Sequence, residues 1–82
     1  MQLNIDPAER ACIRERLATL SDREREVLEK LVAGKWVKII ASELGTSPNT
    51  VKNQRTRVLE KMGADSVPDL VHMVMISQMS SD

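Results

Sequence analysis

WVKIIASELGTSPNTVKNQRTRVLEKM, residues 36 to 62, decides the fold, because it holds two apolar stripes at helical spacing with a tight turn between them. Ile40, Ala41 and Leu44 form the first stripe, and Gly45 follows it as a helix stop should. Ser47 then suits an N-cap, and Pro48 suits the first helical position, where its φ is preset and its missing N–H costs nothing. Val51 opens the second stripe, which continues through Val58, Leu59 and Met62 until Gly63 ends it. About three residues separate the helices, so they cross steeply and their backbones come close. The small Ala41 sits at that crossing.

Working outward, capping signals predict three more helices. Asp6, Pro7 and Glu9 start one that runs to about Leu17, and its apolar residues Ala8, Ala11, Cys12 and Leu17 make only a thin stripe, as in a peripheral helix. Ser21 and Glu24 form a capping box ahead of Val27, Leu28, Leu31 and Val32, which share one face until Gly34. The third helix then covers about Val37 to Leu44 and the fourth Pro48 to about Lys61. Ser66 with Asp69 opens a fifth that reaches about Gln78. On that fifth helix Val67, Leu70, Val71 and Val74 already fill a core stripe, whereas Met73, Met75, Ile76 and Met79 point elsewhere. The spare apolar surface and the adaptable Met side chains predict a seam with a second copy of the chain. The alternative is a small core that wraps the helix.

A chain of 82 residues builds one domain with a modest core and is too short for a catalytic domain with a buried cleft. With one Trp and no Phe or Tyr, that core rests on aliphatic residues and Met. No segment alternates with period two over strand length, so the fold is all-α: a bundle of four core helices containing a helix-turn-helix, plus an N-terminal helix. The domain boundaries read as a linker over 1–19, the helix-turn-helix domain over 20–79 and a polar end at 80–82. The lone Cys12 forms no intrachain disulfide, and neither a signal peptide nor an apolar run of membrane-spanning length is present, which fits a cytoplasmic protein without membrane contact.

Net charge is zero, yet its distribution is uneven. Residues 1 to 45 hold eight basic and eight acidic side chains, while 46 to 61 hold Lys52, Arg55, Arg57 and Lys61 against Glu60 alone. On the fourth helix Asn49, Lys52, Asn53, Thr56 and Glu60 share one polar face, opposite the apolar stripe. Such a helix packs inward while it offers donors and acceptors outward. Ser47, Asn49 and Thr50 stand at its positive N-terminus, where free N–H groups suit a phosphate, and Arg55, Arg57 and, from the third helix, Lys38 flank the polar face as phosphate ligands. The bland readings are a solvated helix face for Lys52 and Asn53, and ion pairs with Glu60 or Glu24 for Arg55 and Arg57.

The motifs LSDREREVL (20–28), the pair Ile40 and Ala41, Leu44 and Gly45, SPNTVK (47–52) and EKM (60–62) resemble the LuxR-type, GerE-like helix-turn-helix domain at the C-terminus of NarL and FixJ response regulators. Ser66, Val67 and Pro68 loosely match the FixJ branch, and the resemblance covers residues 20 to about 75. It implies transcription regulation through sequence-specific double-stranded DNA binding, with the fourth helix in the major groove and a homodimer on DNA. Residues 1–19 would then link to an N-terminal receiver domain outside this chain. By resemblance Lys52, Asn53 and Thr56 approach base edges: Asn53 suits adenine N6 and N7, Lys52 guanine O6 and N7, and the Thr56 methyl a thymine methyl.

This chain departs from the family pattern at three places. Trp36 and Val37 stand where a polar cap is usual, so the third helix lacks a side-chain cap and Trp36 is expected to pack over its end. Thr46 occupies a usually aliphatic position, and its hydroxyl needs a partner. Gln54 replaces a frequent His on the inner side of the fourth helix.

Cys12 and His72 lie sixty residues apart without a nucleophile elbow, a Gly-rich loop or paired carboxylates, so no catalytic residue, metal site or cofactor is expected. Cys12 reads as a half-buried filler. Two other functions compete. A sigma-factor-like promoter-reading domain would share the REREVL helix and need RNA polymerase as its partner; a protein-interaction module would use the Met-rich fifth helix. At the helix crossing, Ala41→Leu is expected to lower stability by about 1–3 kcal/mol through overpacking, as read by thermal denaturation.

Overall fold

Five helices account for residues 6–79, the part of the chain described by the computed structural model: α1 (Pro7–Ala18), α2 (Asp22–Val32), α3 (Val37–Leu44), α4 (Pro48–Met62) and α5 (Val67–Gln78). No strand occurs among the described residues, and the fold is all-α. The first five residues of the expected linker and the polar end at 80–82 lie outside the described residues.

Four of the five starts carry a side-chain cap. Asp6 accepts from the Ala8 N–H at 2.9 Å, Ser47 from Thr50 at 3.1 Å and Ser66 from Asp69 at 3.3 Å. At α2 the capping box closes in both directions, with the Glu24 N–H donating to Ser21 Oγ at 3.1 Å and the Ser21 N–H to Glu24 Oε1 at 2.9 Å. Only α3 lacks such a bond. Trp36, at its N-cap, is 80% exposed, so the expected packing of the ring over the helix end does not occur. The burial of Ile40 and Ala41 holds α3 in place instead.

Between α3 and α4 the chain reverses at Gly45, whose φ of 67° is the left-handed conformation that a residue with Cβ adopts at a cost. The Gly45 N–H donates to Ser42 O at 3.3 Å and the Thr46 N–H to Ala41 O at 2.9 Å, so two carbonyls at the end of α3 are satisfied by the turn itself. Val27, Ile40, Val51, Val58, Met62 and Leu70 form the fully buried centre. α4 touches all four other helices and is the axis of the domain.

Two expectations for the outer helices are corrected. Ala8, Ala11 and Cys12 are exposed, and α1 enters the core through Ile13, with Leu17 partly buried beside it. Nor is α1 loosely attached, because its arginines cap other helices: Arg14 donates through Nε and Nη2 to Ser77 O at 3.1 and 3.0 Å, Arg10 to Met79 O at 3.0 Å, and Arg16 to Met62 O at 2.7 Å. Cations at helix C-termini satisfy orphan carbonyls and oppose the helix dipole. The Arg16 guanidinium fills the space that a Cβ on Gly63 would occupy, so that helix stop serves packing as well as conformation.

On α5, Met73 and Ile76 do not point away from the core. Both are buried within the chain, where α5 packs against α1, α2 and α4. Met73 borders the same small surface cleft as Ile13 and Cys12. A helix between two partners needs apolar residues on more than one face. Of the expected seam residues, Met75 remains exposed and Met79 half-buried.

Glu24 joins α2 to α4. Beyond its cap bonds, its Oε1 accepts from Lys61 Nζ at 2.7 Å, and the side chain is buried. That bond to Lys61, followed by the backbone bond from Ser21, holds the carboxyl at about 2, well below its ordinary value of 4.5. Thr46 is half-buried and its hydroxyl is not stranded; among the described residues the buried side-chain oxygen without a partner is Gln54 Oε1.

A depressed carboxylate stabilises the fold above its unfolded value and loses that contribution as pH falls through its folded value. Glu24→Gln is therefore expected to lower stability by about 1–2 kcal/mol at neutral pH. In chemical denaturation that deficit should shrink between about 4.5 and about 2. Gln54→Met keeps the shape and removes the unpaired oxygen, and it should raise the midpoint of thermal unfolding by an amount worth about 1 kcal/mol.

Candidate nucleic-acid interface

The outward face of α4 follows from the side it buries. With Val51, Val58 and Met62 fully inside, Asn49, Lys52, Asn53, Thr56 and Glu60 are all exposed, and together they form one polar surface. Thr56 Oγ1 donates to Lys52 O at 3.1 Å, so the Thr56 hydroxyl proton is already used. Its methyl is what remains for contact.

At the N-terminus of α4 the donor supply is narrower than the sequence suggests. Pro48 has no N–H, the Thr50 N–H is taken by Ser47 Oγ, and the Val51 N–H donates to Ser47 O at 3.2 Å. The Asn49 N–H is the first-turn donor left over. Ser47 Oγ and Thr50 Oγ1 lie 2.9 Å apart, a pair in which one hydroxyl proton is shared and the other stays free. A phosphate at this end would therefore meet one amide and one hydroxyl rather than a full ring of amides.

The basic side chains sort cleanly. Of the twelve in the sequence, Arg10, Arg14, Arg16 and Arg25 reach backbone carbonyls. Lys61 is held by Glu24, Lys30 and Lys35 each approach Glu43 at 2.7 Å, and Arg23 lies 3.8 Å from Glu26. The Lys30 and Lys35 ammonium groups lower the Glu43 carboxyl below its usual range, Lys30 first. Lys38, Lys52, Arg55 and Arg57 make no ion pair with any side chain of the described residues. All four belong to α3 and α4. Neither Arg55 nor Arg57 takes Glu60 or Glu24 as a partner, and Lys61, part of the basic excess in the sequence, is turned inward to α2.

Sequence reasoning missed one element of this surface, a groove of about 680 Å³ beside α4 that is walled by Trp36, Lys38, Pro48, Lys52 and Arg55. The signal was an indole at a cap position, where neither capping chemistry nor the core needs it. The described residues contain no cluster of His, Cys, Asp and Glu able to hold a metal ion, and no helix among them is long and apolar enough to cross a membrane.

Known proteins resemble this chain in sequence and fold. The family model described as "Bacterial regulatory proteins, luxR family" (GerE) matches residues 18–74. The transcriptional regulatory protein FixJ of Azorhizobium caulinodans is 48% identical over 68 residues, which cover 83% of this chain and 32% of that protein. The transcriptional regulatory protein TdiR of Thauera aromatica is 52% identical over 59 residues, 72% of this chain and 26% of that protein. Full-length FixJ from B. japonicum superposes with a TM-score of 0.77 at 41% identity, over 93% of this chain and 40% of that one. The chain thus spans about a quarter to a third of the length of the curated relatives it matches. A match over most of its helices, close sequence identity and the same helical arrangement lead to one conclusion: the chain belongs to the luxR family of bacterial regulatory proteins, as a helix-turn-helix domain.

Proposed function

We propose that this chain binds double-stranded DNA in a sequence-specific manner to regulate transcription, with α4 in the major groove, as the output domain of a cytoplasmic response regulator whose receiver domain lies outside it. The observation that carries this reading is the partition of charge. In a neutral molecule, every basic side chain without a carboxylate or carbonyl partner among the described residues lies on α3 or α4, around one polar helix face. Phosphate is the anion that such a face attracts over a wide surface, and amide and hydroxyl groups on the same helix supply the chemistry for reading bases.

The roles divide by reach. Lys52 and Asn53 carry the groups that pair with base edges, and the Thr56 methyl offers an apolar contact to thymine. Lys38, Arg55 and Arg57, with Ser47, Asn49 and Thr50 at the helix start, position the domain on the backbone. No role in chemical catalysis is proposed.

A single copy offers few phosphate contacts, so two copies on inverted half-sites are needed for useful affinity at physiological salt. Of the expected seam residues, Met75 on α5 and Met79 just past its end are still available, since Met73 and Ile76 are buried within the chain. If the dimer engages about six phosphates, affinity falls with a log–log salt slope of about −5.

Fluorescence anisotropy against a randomised duplex pool, with sequencing of the retained fraction, tests the proposal. Asn53→Ala should relax preference at one base pair by about 1–3 kcal/mol, whereas Arg57→Ala should weaken binding to all duplexes alike. Equal losses on specific and random duplexes for Asn53→Ala would remove it from base reading. Reversing Lys52 and Arg57 to Glu should abolish duplex retention; retention unchanged by that reversal would sink the reading as a whole.

A further inference from the structure

Trp36 is the feature that the helix-turn-helix leaves unexplained. It is the sole aromatic residue of the chain, yet it is 80% exposed and contributes nothing to the core. It stands at the N-cap of α3, where it makes no capping bond and where a Ser or Asn would make one. A large amphipathic ring left in water beside a functional face points to an absent partner.

The groove it borders indicates which partner. Leu31 and Val67 contribute to its apolar lining, while Lys38, Lys52 and Arg55 stand around it. No carboxylate lines it, and those three cations are unpaired among the described residues, whereas Lys35 at the same groove is already held by Glu43. An occupant that combines an apolar body with negative charge fits this lining. A sugar–phosphate strand does so, with deoxyribose faces between phosphates. A protein surface is disfavoured because Lys52 and Arg55 belong both to the groove and to α4, so a duplex docked on α4 would already cover this wall.

We propose that the groove holds the DNA strand bordering the base pairs that face α4, with the Trp36 ring packed on deoxyribose and with Lys38 and Arg55 on the flanking phosphates. This inference rests on the duplex binding proposed above and adds a strand path and a further contact residue to it. The contact is independent of sequence, since every nucleotide presents the same sugar. It also carries no charge, so it strengthens binding without steepening its salt dependence.

With one Trp and no Tyr or Phe, intrinsic fluorescence of the full chain reports position 36 alone. Titration with a fluorescein-labelled duplex from the retained pool gives two readouts, anisotropy for binding and acrylamide quenching for the indole. Quencher access should fall with the same midpoint as the anisotropy rise. Trp36→Ala should weaken specific and random duplexes alike by about three- to tenfold with an unchanged salt slope, and Trp36→Leu should lose less. Circular dichroism confirms that these exposed-site variants remain folded. Anisotropy that reports binding while quencher access stays constant, or wild-type affinity in Trp36→Ala, overturns the groove assignment and leaves the α4 reading standing. Absence of any retained duplex overturns both.

Discussion

One constraint orders the rest of this domain, the burial of a single side of α4. Val51, Val58 and Met62 have no exposure at all, and their spacing of seven and four residues keeps them in line on the helix. Successive residues are turned by about 100°, so once these three are inside, the direction in which Lys52, Asn53 and Thr56 leave the surface is settled. The other devices hold that rotation. Gly45 and Ser47 set where the helix begins, and Lys61, tied to Glu24 of α2, anchors its last turn.

Charge is distributed to the same end. Helix C-termini expose carbonyls that need donors, and α1 supplies them with arginines that close the ends of α4 and α5. Glu43 gathers two lysines and Glu24 a third. Structural duties therefore absorb most of the cations of a neutral chain, and what remains is concentrated beside the polar face of α4. A net charge of zero conceals this, because it averages side chains engaged inside the fold with side chains that face solvent.

α1 packs against α5 and α4. Residues 18–74 carry the family match, and α1 ends at residue 18, so nearly all of this helix precedes the matched region. It is nevertheless integral to the packing, with Ile13 in the core and arginines on two helix ends. The apolar surface of α5 that looked available to a second copy is largely covered from within.

The five helices were legible in the residues because capping, glycine stops and apolar spacing are local, and each acts within one or two turns of the chain. For the same reason the polar face of α4 could be read from periodicity alone. Tertiary structure decided what depends on residues distant in sequence: that Ile13 rather than Ala8, Ala11 or Cys12 enters the core, that Met73 and Ile76 are buried within the chain, that Lys61 turns to Glu24, and that Trp36 stays in water beside a groove. Periodicity states which residues share a side of a helix, but a helix with two apolar sides has no single inward direction until its neighbours arrive, and a long cationic side chain takes whichever carboxylate or carbonyl the fold brings within reach.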